Sequence, residues 1–483
     1  MADLAVAAVA GGETEAGAGD DQLFQVEQRG LEPVPDSRRH GHPRELFFIW
    51  AAALADFFSF LAGAILISLF GLGVLDSVLV LVAGALAGAA LLGPLSVTGV
   101  RTGMPQIMFS RLVFGRRGAA IGGLLTMLIA IGWFAYDCAI AVFTARTLPI
   151  FGGEPPTAVQ LLMLFAMVAG CVAVAVWGHR TITVFQTVQA PTFMLICLGI
   201  AIALWPRFNL GLGSSLSGGA HVAAMLAGFT ATFALIISWA TYAADYSRYL
   251  PRQSNAVAVS AYAGAGSLVT LVACGLLGIA VQSIDPTNLN IAAIIVDGIP
   301  AWFAWVFVAF IVVAEMSSNY MNVYTAALSG LAIGIPARRW QAALTLGSVG
   351  GAFATYVLIR NDFLGTYLNF LTVTYVWFPA WCIVVLVDYR RRRARLDESE
   401  ATAPLRSWAE GWRWPALLAF AVGTLATLLF YNNQSFFVGR AAWLFGNLPA
   451  DISSFVGVVV TYVAYLGFEA LLRPRPRRHP TTA

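Results

Sequence analysis

The chain has 483 residues, of which 59% are hydrophobic and only 11% are charged, and its formal net charge is +3. These proportions exclude an ordinary soluble domain and indicate a protein that crosses the membrane many times. Its five Cys all lie in apolar stretches without metal-ligand spacing, so we interpret them as packing residues and predict no disulfide.

The N-terminal residues 1–45 are polar and contain no apolar core, so we predict a disordered cytoplasmic tail and no cleaved signal peptide. Twelve apolar runs follow, each near the length of about 20 residues that a helix needs to cross the bilayer. We number them spans 1 to 12, and they cover residues 47–70, 74–98, 118–146, 157–177, 184–205, 221–246, 256–281, 301–332, 341–359, 363–387, 414–431 and 452–472.

The basic residues predict the orientation of these spans. All 28 are Arg, and alternating the connections places 24 on one side of the membrane. The other four are Arg146, Arg207, Arg360 and Arg440. By the positive-inside rule both termini are cytoplasmic in a multi-pass plasma-membrane protein, including the C-terminal tail 473–483. The connections at 97–117 and 388–413 are too short for a catalytic domain, so function is expected within the membrane.

Four carboxylates fall within or at the end of a span: Asp56 in span 1, Asp137 in span 3, Asp245 in span 6 and Glu315 in span 8. A charge at the centre of a membrane helix costs about 2.5–3.5 kcal/mol on insertion scales, so each is a candidate functional residue. Arg248 follows Asp245 by three residues, which predicts a structural ion pair at that helix end. Asp56 and Glu315 are open to a structural polar contact or a role in ion coupling.

Span 8 contains further polar groups. The hydroxyls of Ser317 and Ser318, with the carbonyl of Ala314 one turn earlier, are hard oxygen donors that suit a small cation if a broken helix lies nearby. Asn319 and Asn322 add amides that can pair with a heteroatom-rich solute. The alternative is that these side chains only join neighbouring helices.

Two tryptophans, Trp133 in span 3 and Trp239 in span 6, lie far from either membrane interface, so anchoring at the interface does not explain them. Paired indole rings with amides and carboxylates nearby suit a flat aromatic solute, and the alternative is that each Trp fills the core. Asp137 lies four residues after Trp133, hence on the same helical face. It either faces the solute or only bonds a neighbouring helix.

Six short motifs occur in an order typical of one family. They are Pro33-Val34-Pro35-Asp36-Ser37-Arg38-Arg39; Gly103-Met104-Pro105 leading to Ser110-Arg111-Leu112-Val113-Phe114-Gly115; Gly132-Trp133-Phe134; Asp245-Tyr246-Ser247-Arg248-Tyr249; Ser317-Ser318-Asn319; and Leu368-Asn369-Phe370-Leu371 with Pro379 and Asp388-Tyr389. With them the chain resembles the nucleobase:cation symporter-1 family, the permeases for purines, cytosine, allantoin, hydantoins and related compounds.

The resemblance implies an all-α membrane protein of twelve transmembrane helices. Spans 1–5 (46–206) and spans 6–10 (207–388) would form a five-plus-five inverted repeat, with spans 1 and 6 broken at the midplane. An Arg-rich cytoplasmic loop (389–413) and two additional helices (414–472) would follow.

The resemblance also implies residue roles. Trp133 and Trp239 would stack on the substrate, Ser238 would offer its backbone and hydroxyl beside the ring, and Asn319 would bond the ring edge, with Asn322 nearby. Na⁺ would bind between spans 1 and 8. Its ligands would be the carbonyls near Leu54 and Phe57, the carbonyl of Ala314, and the hydroxyls of Ser317 and Ser318.

The chain departs from the family pattern at the acids. Asp137 stands where some relatives carry Gln, and Ala130 stands where bacterial cytosine permeases carry a substrate-binding Gln. Asp56 and Glu315 add carboxylates beside the cation region, and other branches of the family use protons. The choice between Na⁺ and H⁺ therefore stays open at this point.

The expected function is secondary active import of a nucleobase or related heterocycle, with a purine or cytosine favoured, by cation symport with alternating access. The alternatives are a proton-coupled permease of the allantoin and hydantoin type and, more remotely, a channel. An enzyme is not expected, because the five His lie in tails or near loops and no reactive grouping is visible within the spans. Neither an organic cofactor nor a nucleic-acid partner is expected, and the sequence leaves the oligomeric state open.

Overall fold

A computed structural model describes residues 22–151, 153–396, 411–433, 437–445 and 451–472 of the chain. The predictions for residues 1–21, 397–410 and 473–483 fall outside this part. Within it, ten helices are long and apolar enough to cross a membrane, an eleventh crossing is a pair of helices bent by 56°, and one further apolar helix is shorter. These elements coincide with the twelve predicted spans.

The first half of the chain begins with a broken helix and continues through four long helices and one short one. Its helices are α1 (Glu45–Ala53), α2 (Phe57–Ser68), α3 (Val74–Thr102), α4 (Gln106–Phe114), α5 (Arg116–Ala145), α6 (Thr157–Trp177) and α7 (His179–Leu204).

The second half has the same order of elements, and a C-terminal pair of helices follows it. Its helices are α8 (Gly218–Ile237), α9 (Ala243–Ser247), α10 (Ala256–Gln282), α11 (Ile291–Gly298), α12 (Ala301–Ile333), α13 (Arg339–Arg360), α14 (Phe363–Tyr375) and α15 (Phe378–Leu396). The chain then forms α16 (Trp414–Phe430), the antiparallel strands β1 (Asn432–Asn433) and β2 (Phe437–Val438), a 3₁₀ turn (Arg440–Phe445) and α17 (Ser453–Leu472).

The two halves are related by inversion. Each has a broken helix, a long helix, a short helix, and then further long helices. The short helix α4 follows the second crossing and α11 follows the seventh, so the two short helices lie on opposite sides of the membrane. This order confirms the predicted all-α inverted repeat.

Both predicted breaks are present. In span 1, residues Leu54–Asp56 connect α1 to α2 outside any helix. In span 6, α8 ends at Ile237, and a 3₁₀ turn at Ala240–Tyr242 precedes α9. Two loops were predicted too long: α4 occupies much of the predicted connection 97–117, and α15 continues through residues 389–396 of the predicted Arg-rich loop. Apolar residues on α4 pack into the bundle, which the hydropathy of a short segment does not reveal.

Glycines allow α2 and α10 to pack in close contact. A Cβ on Gly63 of α2 would overlap the backbone carbonyl of Gly275 on α10, and a Cβ on Gly278 would overlap that of Phe60. Because only hydrogen fits at these positions, α2 and α10 meet backbone to backbone, as small residues permit in membrane bundles. This contact holds the second part of the broken helix against span 7.

The prediction of a disordered tail is wrong for residues 22–45. Glu27 is only 2% exposed, and its carboxylate accepts hydrogen bonds from the hydroxyls of Tyr249 (2.6 Å) and Tyr324 (3.0 Å) and from the backbone N–H of His179 (2.8 Å). Arg339 donates to the backbone carbonyl of Glu27 at 3.0 Å. The segment therefore packs against the start of α7, the residues after α9, the last third of α12 and the start of α13.

The predicted ion pair between Asp245 and Arg248 is also wrong. Asp245 accepts hydrogen bonds from the backbone N–H of Gln106 (2.8 Å) and the hydroxyl of Thr325 (2.7 Å). Gln106 is the first residue of α4, where a helix has N–H groups without a partner in the helix, so the carboxylate satisfies one of them. Arg248 turns instead to Glu27, at 3.5 Å, and to backbone oxygen.

Candidate functional site

The break in span 1 places two carboxylates at the start of α2. Asp56 is the N-cap residue, and its side chain accepts from the backbone N–H of Ser59 at 2.9 Å. Glu315 of α12 accepts from the backbone N–H of Phe57 at 2.7 Å. The first N–H groups of a helix have no partner within the helix, and inside a bilayer no bulk water satisfies them. Both acids are therefore required by the exposed end of α2.

Asp137 of α5 lies close to this pair. Asp56, Glu315 and Asp137 are 4%, 0% and 2% exposed, and each interacts electrostatically with the other two. In the described part of the chain, no Arg or His side chain forms an ion pair with any of them. Buried like charges without a counter-charge are strongly unfavourable, so the group requires a bound cation or bound protons.

The predicted cation ligands meet at the same place. The bond from Phe57 to Glu315 brings residues 314–318 of α12 against the break at residues 54–57. The hydroxyl of Ser317 is buried and has no hydrogen-bond partner among the described residues, and the same holds for the second carboxylate oxygen of Glu315 and the hydroxyl of Ser59. The hydroxyl of Ser318 donates to the backbone carbonyl of Glu315 at 3.3 Å.

These donors are the hard oxygens that alkali cations prefer, and the last carbonyls of α1 lack partners within that helix. The described residues contain no group of three His, Cys, Asp or Glu that converges on one metal ion. Any cation here must therefore use hydroxyl and carbonyl oxygens as well as carboxylates. Ser59 was missed by the sequence analysis, although a hydroxyl three residues after a capping Asp is a readable signal.

A chain of hydrogen bonds links Asp137 to spans 6 and 8. The hydroxyl of Tyr242 donates to Oδ1 of Asn322 at 2.9 Å, and Nδ2 of Asn322 donates to Oδ2 of Asp137 at 3.1 Å. The same Nδ2 also donates to Oδ1 of Asn319 at 3.3 Å. Tyr242 was not predicted as a site residue, although it lies one turn after Trp239.

The orientation of both amides follows from their hydrogen-bond partners when Asp137 is ionised. Nδ2 of Asn319 donates to the backbone carbonyl of Phe134 and to the sulfur of Cys138, both at 3.2 Å. The carbonyl of Phe134 at one end cannot donate, and the carboxylate of Asp137 at the other cannot donate when it is ionised, so with Asp137 ionised neither amide can be flipped without losing a bond. All four amide hydrogens therefore form hydrogen bonds, and these bonds fix the positions of the acceptor groups around the two amides.

The aromatic side chains surround this polar chain. Trp133 makes edge-to-face contacts with Phe58, Tyr367 and Phe370 at centroid distances of 5.4–5.9 Å, and its indole N–H has no partner among the described residues. The ring of Trp239 contacts that of Tyr242 at 5.1 Å.

Two positions near Trp239 differ from what the sequence suggested. The hydroxyl of Ser238 donates to the carbonyl of Leu235 at 2.8 Å, so its proton is used within its own helix. Trp50, which the sequence analysis did not single out, contacts the ring of Trp239 at 6.2 Å.

Comparison with known proteins identifies the family. The family described as "Permease for cytosine/purines, uracil, thiamine, allantoin" matches residues 33–449. The chain belongs to this family. This confirms the family resemblance of the motifs and the expectation of a transporter over an enzyme.

Curated relatives align over nearly the whole permease. The purine-cytosine permease FCY2 of Saccharomyces cerevisiae is 24% identical, with 93% of this chain and 86% of the relative covered. The cytosine permease of Escherichia coli K12 is 25% identical, with 93% and 95% covered.

Solved structures show the same fold. Mhp1, a nucleobase-cation-symport-1 family transporter in a closed conformation with bromovinylhydantoin bound, is similar with a TM-score of 0.73 and 16% identity, covering 93% of this chain and 96% of Mhp1. A Na⁺-coupled sialic acid symporter is similar with a TM-score of 0.62 and 12% identity, covering 94% of each chain. These similarities confirm the predicted fold class.

The capping role of Glu315 generates a stability prediction. Glu315→Leu leaves the buried N–H of Phe57 without a partner, so we expect the free energy of unfolding to fall by about 1–3 kcal/mol. Glu315→Gln keeps an oxygen acceptor and should lose less. Thermal unfolding of the purified permease measures both, with Ser329→Ala on the same helix as the control because that buried hydroxyl has no hydrogen-bond partner among the described residues. A Leu variant as stable as the Gln variant would contradict the capping role.

Proposed function

We propose that this permease imports a nucleobase or closely related planar heterocycle, with a purine or cytosine favoured, and couples import to a cation by alternating access. One observation carries the proposal: Asp137 belongs both to the acid group and to the hydrogen-bond chain of spans 6 and 8. A residue common to two binding sites lets each ligand alter the affinity for the other, which is the requirement for coupling. The names of the relatives support the substrate class.

Trp133 and Trp239 would stack on the heterocycle, and Ser238 would border it through its backbone. Because the hydrogens of Asn319 and Asn322 are engaged, the polar edge of this site consists mainly of acceptors, and the carboxylate of Asp137 is the strongest of them when it is ionised. Such an edge matches a substrate with adjacent N–H donors, as in the ring N–H and amino group of guanine or in protonated cytosine.

The coupling ion would be Na⁺, held by the carbonyls of Leu54, Phe57 and Ala314 with the hydroxyls of Ser317 and Ser318. The similarity to a Na⁺-coupled symporter supports this choice. The second candidate is a proton-coupled permease of the allantoin and hydantoin type, with protons carried by Asp56 and Glu315. The unpaired acid group favours it, and the hydantoin bound to Mhp1 indicates that this fold accepts such a ring.

The distribution of charge supports the proposed orientation in the membrane. With 24 of 28 Arg on one side, the permease would lie in the plasma membrane with both termini in the cytoplasm. The described N-terminal segment lies on that Arg-rich side, because Arg39 donates to the carbonyl of Val100 near the end of α3.

The transport function is tested by counterflow in proteoliposomes. Labelled adenine, guanine, hypoxanthine or cytosine should exchange against unlabelled solute, which a carrier performs and an open pore does not.

Trp133→Ala or Trp239→Ala should lower the substrate affinity about tenfold or more, because stacking and ring burial together exceed 1.4 kcal/mol. Phe at either position should retain part of the affinity. Trp302→Ala, at an exposed position, is the control, and unchanged affinity in folded Ala variants would reject the stacking site.

Asp137→Asn tests recognition of the substrate edge. Replacing the charged acceptor removes a bond worth about 1.5–3 kcal/mol from a substrate with paired donors, so guanine should lose tenfold or more in affinity relative to hypoxanthine. Competition for uptake by guanine, hypoxanthine, adenine and cytosine measures the rank order. Asp76→Asn, whose carboxylate pairs with His221 away from this site, is the control. An unaltered rank order in a folded Asp137→Asn protein would remove this residue from recognition.

The coupling ion is tested by imposing one gradient at a time. If Na⁺ binds as proposed, Ser317→Ala with Ser318→Ala should abolish the Na⁺ dependence of substrate binding and leave basal affinity. Ser348→Ala on the exposed face of α13 is the control. Uptake driven by a pH gradient in Na⁺-free vesicles, and lost in Asp56→Asn or Glu315→Gln, would instead establish the proton-coupled alternative.

A further inference from the structure

Two adjoining cavities lie along α16, outside the substrate and cation region. The first has a volume of about 790 Å³, lies at the start of α16 and is lined by charged side chains of α15 and α17 and by Arg413, the residue before α16. The second, of about 760 Å³, is an apolar groove between α16, α5 and α14. Both are lined by Trp412, Trp414 and Leu418, so they form one continuous surface.

One cationic side chain in the charged cavity forms no ion pair with the described residues. Asp388 accepts from Arg392 at 3.0 Å and from Arg413 at 3.2 Å, and Arg413 also bonds Glu469 at 3.0 Å. Arg391 is exposed and has no hydrogen bond or ion pair to the described residues. The cavity therefore presents positive charge to a ligand, chiefly from Arg391.

The apolar groove has the dimensions of one acyl chain. Its lining residues on α16 run from Trp414 to Leu428. The part beyond the tryptophans, from Leu417 to Leu428, rises about 16 Å, which is close to half of the roughly 30 Å hydrocarbon core. Ile121 of α5, Val373 of α14 and Leu425 of α16 are large apolar side chains on its exposed wall. The groove thus extends from the charged cavity across one leaflet.

The surrounding sequence marks this end as the membrane interface. Five Arg between residues 390 and 395 follow span 10, and such juxtamembrane clusters attract anionic lipids of the cytoplasmic leaflet. Trp412 and Trp414 are exposed and stacked at a centroid distance of 6.0 Å, as expected of aromatic residues at the headgroup level. A free anion would not need the groove, and an acyl chain alone would not need the Arg side chains.

We propose that an anionic phospholipid binds this surface, with its phosphate at Arg391 and Arg392 and one acyl chain in the groove along α16. The lipid would join the additional helix α16 to α5 and α14. These two helices carry Trp133 and its neighbour Tyr367, so the bound lipid would stabilise the packing of two helices that contribute side chains to the proposed substrate site.

Native mass spectrometry of the full-length permease tests this directly. The protein is titrated with phosphatidylglycerol or with phosphatidylcholine of the same acyl chains, and phosphatidylglycerol should be retained preferentially. Arg391→Gln should lower the apparent affinity for phosphatidylglycerol about fivefold, the contribution expected of one Arg near an anionic surface. Arg180→Gln, at an exposed Arg outside the surface, should leave it unchanged.

A second pair of variants tests the groove. Ala421→Trp fills it from an exposed position and should also weaken phosphatidylglycerol binding, whereas Val422→Trp, at the next residue, which does not line the groove, should not. Equal retention of both lipids, or binding unaffected by Arg391→Gln, would overturn the proposal. Displacement of the lipid by inorganic phosphate together with no effect of Ala421→Trp would show an anion site without a lipid chain, and would overturn it as well.

Discussion

The hydrogen bond from the backbone N–H of Phe57 to Glu315 is the interaction on which the rest of the site depends. A helix broken inside the bilayer exposes N–H groups that lipid cannot satisfy, and Asp56 with Glu315 satisfies two of them at the start of α2. The same bond fixes span 8 against the break of span 1. The backbone requirement therefore places two acids in the middle of the membrane, and their charge in turn requires a cation or protons. Coupling chemistry is in this sense a consequence of the broken helix.

Asp137 connects the acid group to the proposed substrate site. Its carboxylate interacts with Asp56 and Glu315 on one side and accepts from Asn322 on the other. Changing the charge state or the ion occupancy of the acid group changes how strongly Asp137 accepts hydrogen bonds, and so would change the polar edge that the proposed site presents to a heterocycle. Tyr242 and Asn319 act on the same group indirectly, since they hold Asn322 in one orientation. In the proposed function, recognition and coupling meet at this one carboxylate.

The parts of the fold that the sequence predicted are those that depend on local composition. Twelve apolar runs and the inverted order of their elements follow from span length and family motifs, and so do Trp133, Asn319 and the serines of span 8 as candidates. The failures involve partners distant in the sequence. Asp245 and Arg248 have ion-pair spacing, yet their partners Gln106 and Glu27 lie 139 and 221 residues away. The polar N-terminal segment is ordered because of Tyr249 and Tyr324, which composition does not reveal.

That N-terminal segment acts on the same helices as the site. α12 carries Glu315, Asn319 and Asn322, and Tyr324 lies two residues further along the same helix. Arg248 directly follows α9, shortly after Tyr242. Glu27 contacts both helices at once, through Tyr324 of α12 and through Arg248 after α9. Separating α12 from α9 at this point would leave Glu27 or Arg248 buried without its partner, which costs about 3–5 kcal/mol. If the permease opens inward between spans 6 and 8, Glu27 must either move with one of the two spans or become exposed to water together with Arg248. The movement of the N-terminal segment is therefore linked to the opening of the proposed site toward the inside.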